Sequence, residues 1–223
     1  MTELRSVEES YSTELIRKGI HLSSLSIPVV YFFISRPAAL TILIPLTLLF
    51  GLSDLARLFV PAFGGLYRKF FGFLLRRHEL NARRRRLNGA TYVLLSATLC
   101  IWLFPKIIVI TAFAILIISD TSAALIGRKF GRHPFLGKSL EGTTAFFVSG
   151  LLVVALAPKI AYLPAEYLIG ILATALGAVV EALSRDFIDD NLSIPIAIGL
   201  AMWGLYLLLL PGLNVYALDL IPG

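Results

Sequence analysis

The sequence predicts an all-α membrane protein, a polytopic bundle of about seven transmembrane helices, and three observations predict it. Of 223 residues, 57% are hydrophobic and only 15% are charged, with a mean hydropathy of +0.84. A soluble domain of this length exposes far more charge. The apolar residues gather into seven runs, and the basic residues sort to alternate connections between them.

The runs are Ile20–Ile34, Ala38–Phe59, Gly89–Phe104, Ile107–Gly127, Thr143–Ala157, Tyr167–Leu183 and Leu192–Leu210. Each is read as a helix, because an open sheet leaves its edge groups unsatisfied in lipid. Pro28, Pro45 and Pro195 lie in the runs, where kinks are tolerated if neighbours satisfy the freed carbonyls. Trp102 and Phe104, at the end of the third run, suit an aromatic belt. Runs of about 15 residues cover about 22 Å, less than a hydrocarbon core of about 30 Å. Their polar neighbours Arg17, Lys18, Lys138 and Glu141 are therefore expected at headgroup depth.

Orientation follows from charge. With the N-terminus in the cytoplasm, 17 of the 20 Lys and Arg residues fall on the cytoplasmic side, and only Arg36, Lys106 and Lys159 fall outside with Gly223. Residues 1–223 read as one integral-membrane domain, with 60–88 as a cytoplasmic basic segment. Within it, Phe70–Leu87 reads as an interfacial helix resting on anionic headgroups. The net charge of +6 is explained by these flanks rather than by a nucleic-acid partner. Four Glu residues precede the first run, unlike a secretory signal peptide. Cys100 is the single cysteine, so neither an intrachain disulfide nor a cysteine metal cluster is expected.

Chemistry concentrates in Ser119–Gly142, S-D-T-S-A-A-L-I-G-R-K-F-G-R-H-P-F-L-G-K-S-L-E-G. An acid inside an apolar run is followed by a Gly/Arg/Lys-rich loop and then by Glu141. Arg128, Lys129, Arg132 and Lys138 offer charge to phosphate, and Gly127 and Gly131 allow close backbone approach. The segment is not a P-loop. The glycine required five residues before Gly137 is Arg132, and both flanks are membrane-type rather than strand and helix of an α/β sheet.

Acids within membrane helices are costly and usually functional. Asp54, Asp120, Glu141 and Glu181 all fall near cytoplasmic helix ends, level with Arg17, Lys18 and His21 and with Asp189, Asp190 and Asn191. Asp54 and Arg57, at i and i+3, read as a pair, and Glu181 and Arg185 as another possible one. Asp120 and Glu181 share helix faces with small residues, which favours function. Asp189–Asn191 suits either a helix cap or a Mg²⁺ cluster. Carboxylates with Lys, Arg and Gly are what phosphoryl transfer through Mg²⁺ uses.

The chain resembles the CTP-dependent lipid kinases: dolichol kinase, phytol kinase and CTP-dependent diacylglycerol kinases. The resemblance lies in R-K-G-I-H at Arg17–His21, in the central segment, and in E-A-L-S-R-D-F-I-D-D-N-L-S-I-P at Glu181–Pro195. It implies transfer of the γ-phosphate of CTP to a lipid alcohol with a divalent ion, Mg²⁺ or another, at the cytoplasmic face. By that match Asp120, Lys138, Glu141 and Glu181 are expected to be catalytic. Arg17, Lys18, Gly127, Lys138, Ser139, Gly142 and Asn191 are expected to hold nucleotide, joined by Arg128 on the charge of the loop itself, and Asp120, Glu181 and Asp190 the metal. Ser119 departs from the Gly that many members carry before the central Asp. An isoprenoid alcohol (a polyprenol, dolichol or phytol) is the favoured acceptor, with diacylglycerol possible. A CDP-lipid-forming cytidylyltransferase and a transporter are the alternatives. The first lacks here its longer acidic C-terminal signature; the second should show a repeat and midplane polar residues.

Overall fold

The computed structural model describes residues 16–71, 87–184 and 189–220. It is all-α apart from one small hairpin. In chain order, α1 covers residues 16–23, α2 Ser26–Phe33, α3 Arg36–Phe59, α4 Pro61–Phe71, α5 Gly89–Leu103 and α6 Lys106–Phe130. The two-residue strands β1 (Pro134–Phe135) and β2 (Lys138–Ser139) follow, then α7 Leu140–Leu156, α8 Pro164–Leu183, α9 Asp190–Leu209 and a 3₁₀ turn at Ala217–Leu220. Four of the described helices, α3, α6, α8 and α9, are long and apolar enough to cross a membrane; α5 and α7 are shorter apolar helices.

The first apolar run differs from the expectation of one helix. It breaks at Ser24–Leu25, and Pro28 supplies the reason. Proline has no N–H to give the Ser24 carbonyl, and its ring crowds that oxygen. The Ile27 N–H takes the carbonyl instead, at 2.9 Å, in a tighter turn. Pro45 and Pro195, in contrast, sit inside continuous helices. Most of the basic stretch expected to form an interfacial helix, 72–86, lies outside the described residues, as do Arg185 and Gly223.

Helix α6 is the axis. Ile107–Ile110, Phe113 and Ile115–Ile117 are all buried, so the helix is apolar around its circumference, as a helix enclosed by others must be. α2, α7 and α9 pack on it. α3 lies outside, held to α5 by Thr47, whose hydroxyl is 2.8 Å from that of Thr98; its Ile42, Leu48, Leu49 and Leu52 face outward. α7 and α8 approach through complementary gaps. A Cβ on Gly150 would stand 2.4 Å from Thr174 Cγ2, and one on Gly170 2.6 Å from Val154 Cγ1. Trp102 is exposed as a belt residue should be. Phe104 is not: it is buried, edge-on to Trp203 and against Gly199.

The three basic residues that break the charge asymmetry share one explanation. Each serves the carbonyls at a helix C-terminus, which lack intrahelical donors. Lys106 donates to Ile34 O beyond α2 (2.9 Å), Arg36 to Phe104 O beyond α5 (2.8 Å), and Lys159 to Val154 O and Ala157 O at the end of α7 (2.6 and 2.7 Å). Asp219 pairs with Arg36 at 3.0 Å and accepts from Lys106 N. Glu166 fastens the same end of the bundle. It accepts from Ile160 N, Ala161 N and Leu163 N at 2.8–3.0 Å, and from the Tyr206 hydroxyl at 3.3 Å.

Candidate functional site: two ion pairs at one end of the bundle

At the other end, five segments converge. α6 and α8 bring their C-terminal portions, α7 and α9 their first turns, and α1 lies alongside. Lys18 and His21, one turn apart on α1, meet Asp120 of α6. The Lys18 ammonium donates to Asp120 Oδ2 and lies 3.4 Å from the Asp120 carbonyl. His21 Nε2 is 3.7 Å from the same Oδ2. Asp120 is 3% exposed and Lys18 5%, so this is a buried ion pair.

A second pair lies beside it. Lys138 projects from β2 to Glu181 in the last turn of α8, with Nζ 2.5 Å from Oε1, and stands 3.9 Å from Asp190 Oδ2 at the start of α9. Burial works against the Lys138 ammonium. The carboxylates of Glu181, Asp190 and Asp120 outweigh it and hold the lysine pKa above its ordinary value. The other oxygen of Glu181, Oε2, is buried and accepts no hydrogen bond among the described residues. Asp189 caps α9, accepting from the backbone N–H of Asn191 (3.0 Å) and from its side-chain amide (2.8 Å). Asn191 is itself buried beside Gly89.

The hairpin explains how Lys138 gets there. Pro134 pairs with Ser139 and Phe135 with Lys138, leaving Leu136 and Gly137 as the turn. Leu136 takes a φ of 50°, a left-handed conformation costing an L-residue about 1–2 kcal/mol. The Gly137 N–H bonds to Ala182 O at 2.9 Å, tying the turn to the end of α8. Ser139 then caps α7, its hydroxyl accepting from Gly142 N at 3.2 Å.

The expected site residues therefore divide. Lys18, Asp120, Lys138, Glu181 and Asp190 come together. Glu141 faces the hairpin instead: its Oε1 is 2.7 Å from His133 Nδ1, and the His133 N–H also points to it. Gly127 and Gly142 face each other. A Cβ on Gly127 would stand 3.1 Å from Ser139 Oγ and 3.3 Å from Gly142 Cα, so the space that Gly127 leaves is filled by α7. Arg17 and Arg128 lie near this end, half-buried and exposed respectively.

Asp54 is a structural acid. Fully buried, it accepts from Arg57 Nε (3.0 Å), Asn88 N (2.7 Å), Asn88 Nδ2 (3.1 Å) and Thr91 Oγ1 (2.7 Å). Sequence reasoning missed the His133 and Glu166 contacts. For His133 the signal was a two-residue hairpin turn, which brings residues 133 and 141 to the same end of the ladder. For Glu166 it was an acid two residues after a helix-starting proline.

Three relatives place the chain. It is 34% identical over 190 residues to an uncharacterized Rickettsia prowazekii protein, covering 85% of this chain and 93% of that one. It is 30% identical over 159 residues to CTP-dependent diacylglycerol kinase 1 of Schizosaccharomyces pombe, covering 65% of this chain and 70% of that enzyme. The chain belongs to the CTP-dependent lipid kinase family. The Saccharomyces cerevisiae member, also CTP-dependent diacylglycerol kinase 1, is 30% identical over 210 residues, covering 84% of this chain and 66% of the relative. No protein-family model and no solved structure matches the chain.

Proposed function

We propose that the protein is a membrane-embedded kinase that transfers the γ-phosphate of CTP to the hydroxyl of a lipid alcohol. Diacylglycerol is the favoured acceptor. The kinases it resembles are named for that lipid, whereas no residue in the described site selects the isoprenoid alcohol expected from the sequence. The observation that carries the reading is the buried cluster Lys18, Asp120, Lys138, Glu181 and Asp190 at one end of an apolar bundle. The shortness of helices α5 and α7 supports a site at headgroup depth, where a lipid hydroxyl and a soluble nucleotide can meet.

The residues fit a divalent cation delivered with the nucleotide. Among the described residues no group of three or more His, Cys, Asp or Glu is set to enclose an ion. Mg²⁺ in phosphoryl-transfer sites usually takes one or two carboxylates, the remaining ligands being phosphate and water. Asp120 and Glu181, whose Oε2 accepts no hydrogen bond among the described residues, supply that many, with Asp190 close by. When bound, the ion neutralises charge on the phosphates. Lys138 and Lys18 hold phosphate oxygens as point charges, with Arg128 and Arg17 in reach of the same end. The first turns of α7 and α9 add the positive ends of their helix dipoles. In the transfer the acceptor oxygen bonds to the γ-phosphorus, the bond to the β–γ bridging oxygen breaks, and CDP leaves. The hydroxyl proton passes to a carboxylate of the cluster, Asp120 in this proposal.

The test is an assay of purified protein in detergent, with labelled CTP, ATP and GTP against diacylglycerol, dolichol, phytol and geranylgeraniol. CDP and a phosphorylated lipid support the reading. Release of pyrophosphate with a CDP-lipid would replace it by the cytidylyltransferase.

A further inference from the structure

We infer that Lys18 and Lys138 are internal counter-cations that hold the carboxylates neutral until nucleotide arrives, so that a divalent cation enters this site only together with the nucleotide's phosphates. The inference rests on the kinase reading and adds an order of binding to it.

Four groups carry the argument. Lys18 and Asp120 are both at least nine-tenths buried, as is Glu181; the Lys138 side chain is 32% exposed. The two ammonium groups match the charge of the Asp120 and Glu181 carboxylates, and Lys138 also stands 3.9 Å from the carboxylate of Asp190. A bare divalent cation competes for oxygens that already face an ammonium, and it displaces that ammonium into a region with little water. Removing one partner from a buried pair is far more costly than never forming it. A bare triphosphate meets the opposite problem, since it draws the lysines off and leaves its own charge facing Asp120 and Glu181.

Arriving together, cation and phosphates exchange every partner and strand none. The ammonium groups turn to phosphate, and the freed carboxylates turn to the cation. Lysine suits such an exchange, with a compact charge and three donors on a flexible stem; an arginine fork would hold its carboxylate in fixed geometry. Lys138 stands on a two-residue strand at the edge of the site, 2.5 Å from one carboxylate and 3.9 Å from another. It already lies between alternative partners. Glu181 Oε2, buried and without a hydrogen bond among the described residues, is the oxygen left over for the cation.

The experiment measures Mn²⁺ bound to the full chain in detergent, by equilibrium dialysis and electron paramagnetic resonance, with no lipid acceptor present. For the wild type, CTP should tighten protein-bound Mn²⁺ by at least about tenfold over Mn²⁺ alone, within the usual range for coupled sites. Lys18→Met, which leaves Asp120 uncompensated, should bind Mn²⁺ alone at least about tenfold more tightly than the wild type. Lys18→Met/Asp120→Asn should lose that gain. Wild-type protein that takes up Mn²⁺ alone as tightly as with CTP overturns the inference, and so does a folded Lys18→Met with unchanged Mn²⁺ binding. If Lys18→Met fails to fold, the wild-type comparison still decides. The kinase reading fails separately, through absence of CTP-dependent phosphorylation of every lipid alcohol by the wild type.

Discussion

Lys138 and Glu181 lie 43 residues apart in sequence and meet with Nζ 2.5 Å from Oε1. The contact joins the hairpin to the last turn of α8, and the Gly137 N–H on Ala182 O reinforces it. A charge-bearing loop is thereby fixed against a helix end. The pair sets the geometry of the proposed nucleotide site and also contributes to stability, and the two roles can be separated.

Lys138→Met leaves the Glu181 carboxylate buried without its partner, which should destabilise the protein by about 3–5 kcal/mol. Lys138→Met/Glu181→Leu removes both charges and should recover most of that loss. Neither variant should phosphorylate lipid. Denaturation in detergent, read beside the kinase assay, checks this. A double variant no more stable than the lysine variant would mean that Glu181 needs some other cation.

Asp120→Asn should stay folded, because the amide oxygen still accepts from Lys18, but with lower stability, because the buried ammonium loses its counter-charge. Turnover should fall several-hundredfold, the equivalent of about 3–4 kcal/mol of transition-state stabilisation. Steady-state rates with CTP and diacylglycerol, taken below a lowered unfolding midpoint where the variant is fully folded, are the measurement.

Asp54→Ala tests the opposite assignment. Four donors on Arg57, Asn88 and Thr91 lose their acceptor, and buried donors left unsatisfied cost about 1–3 kcal/mol each, not additively. The variant should be among the least stable single substitutions. The folded fraction should retain its nucleotide affinity, measured by CTP titration at low temperature. A selective loss of CTP binding would move Asp54 into the site.

Much of this was legible from residue order. Acids in apolar runs, small residues on their faces and basic residues at one side identified Asp120, Glu181 and Lys138, and Asp54–Arg57 was readable as a pair. Partners were harder to read. Nothing in the local pattern says that Lys18 chooses Asp120 or that Glu141 turns to His133, because those contacts depend on where a hairpin folds back and where α1 lies. The break at Ser24–Leu25 was legible in principle, since Pro28 denies Ser24 its acceptor role four residues back. Phe104 misled because an aromatic at a helix end suits a belt or a core equally well, and only the gap at Gly199 decides between them.

The last prediction concerns sidedness. Lys106, Arg36 and Lys159 cap helix C-termini at one end of the bundle, so their presence there follows from carbonyl satisfaction rather than from topology. Leaving them aside, the basic residues among the described ones gather at the end that carries Lys18 and Lys138, which strengthens the proposal that this end is cytoplasmic. α9 begins at Asp190 within the site, and the segment after it returns Asp219 to Arg36 at the far end. Lys129 and Asn214 are exposed at opposite ends, and Cys100 is buried, so single reporters can be placed with little background. In sealed right-side-out vesicles, Asn214→Cys should react with a membrane-impermeant maleimide and Lys129→Cys should react only after permeabilisation. Inverted vesicles should exchange the two results. Labelling of both positions from the same side would show that the bundle's two ends do not face opposite compartments, and would remove the cytoplasmic placement of the nucleotide site.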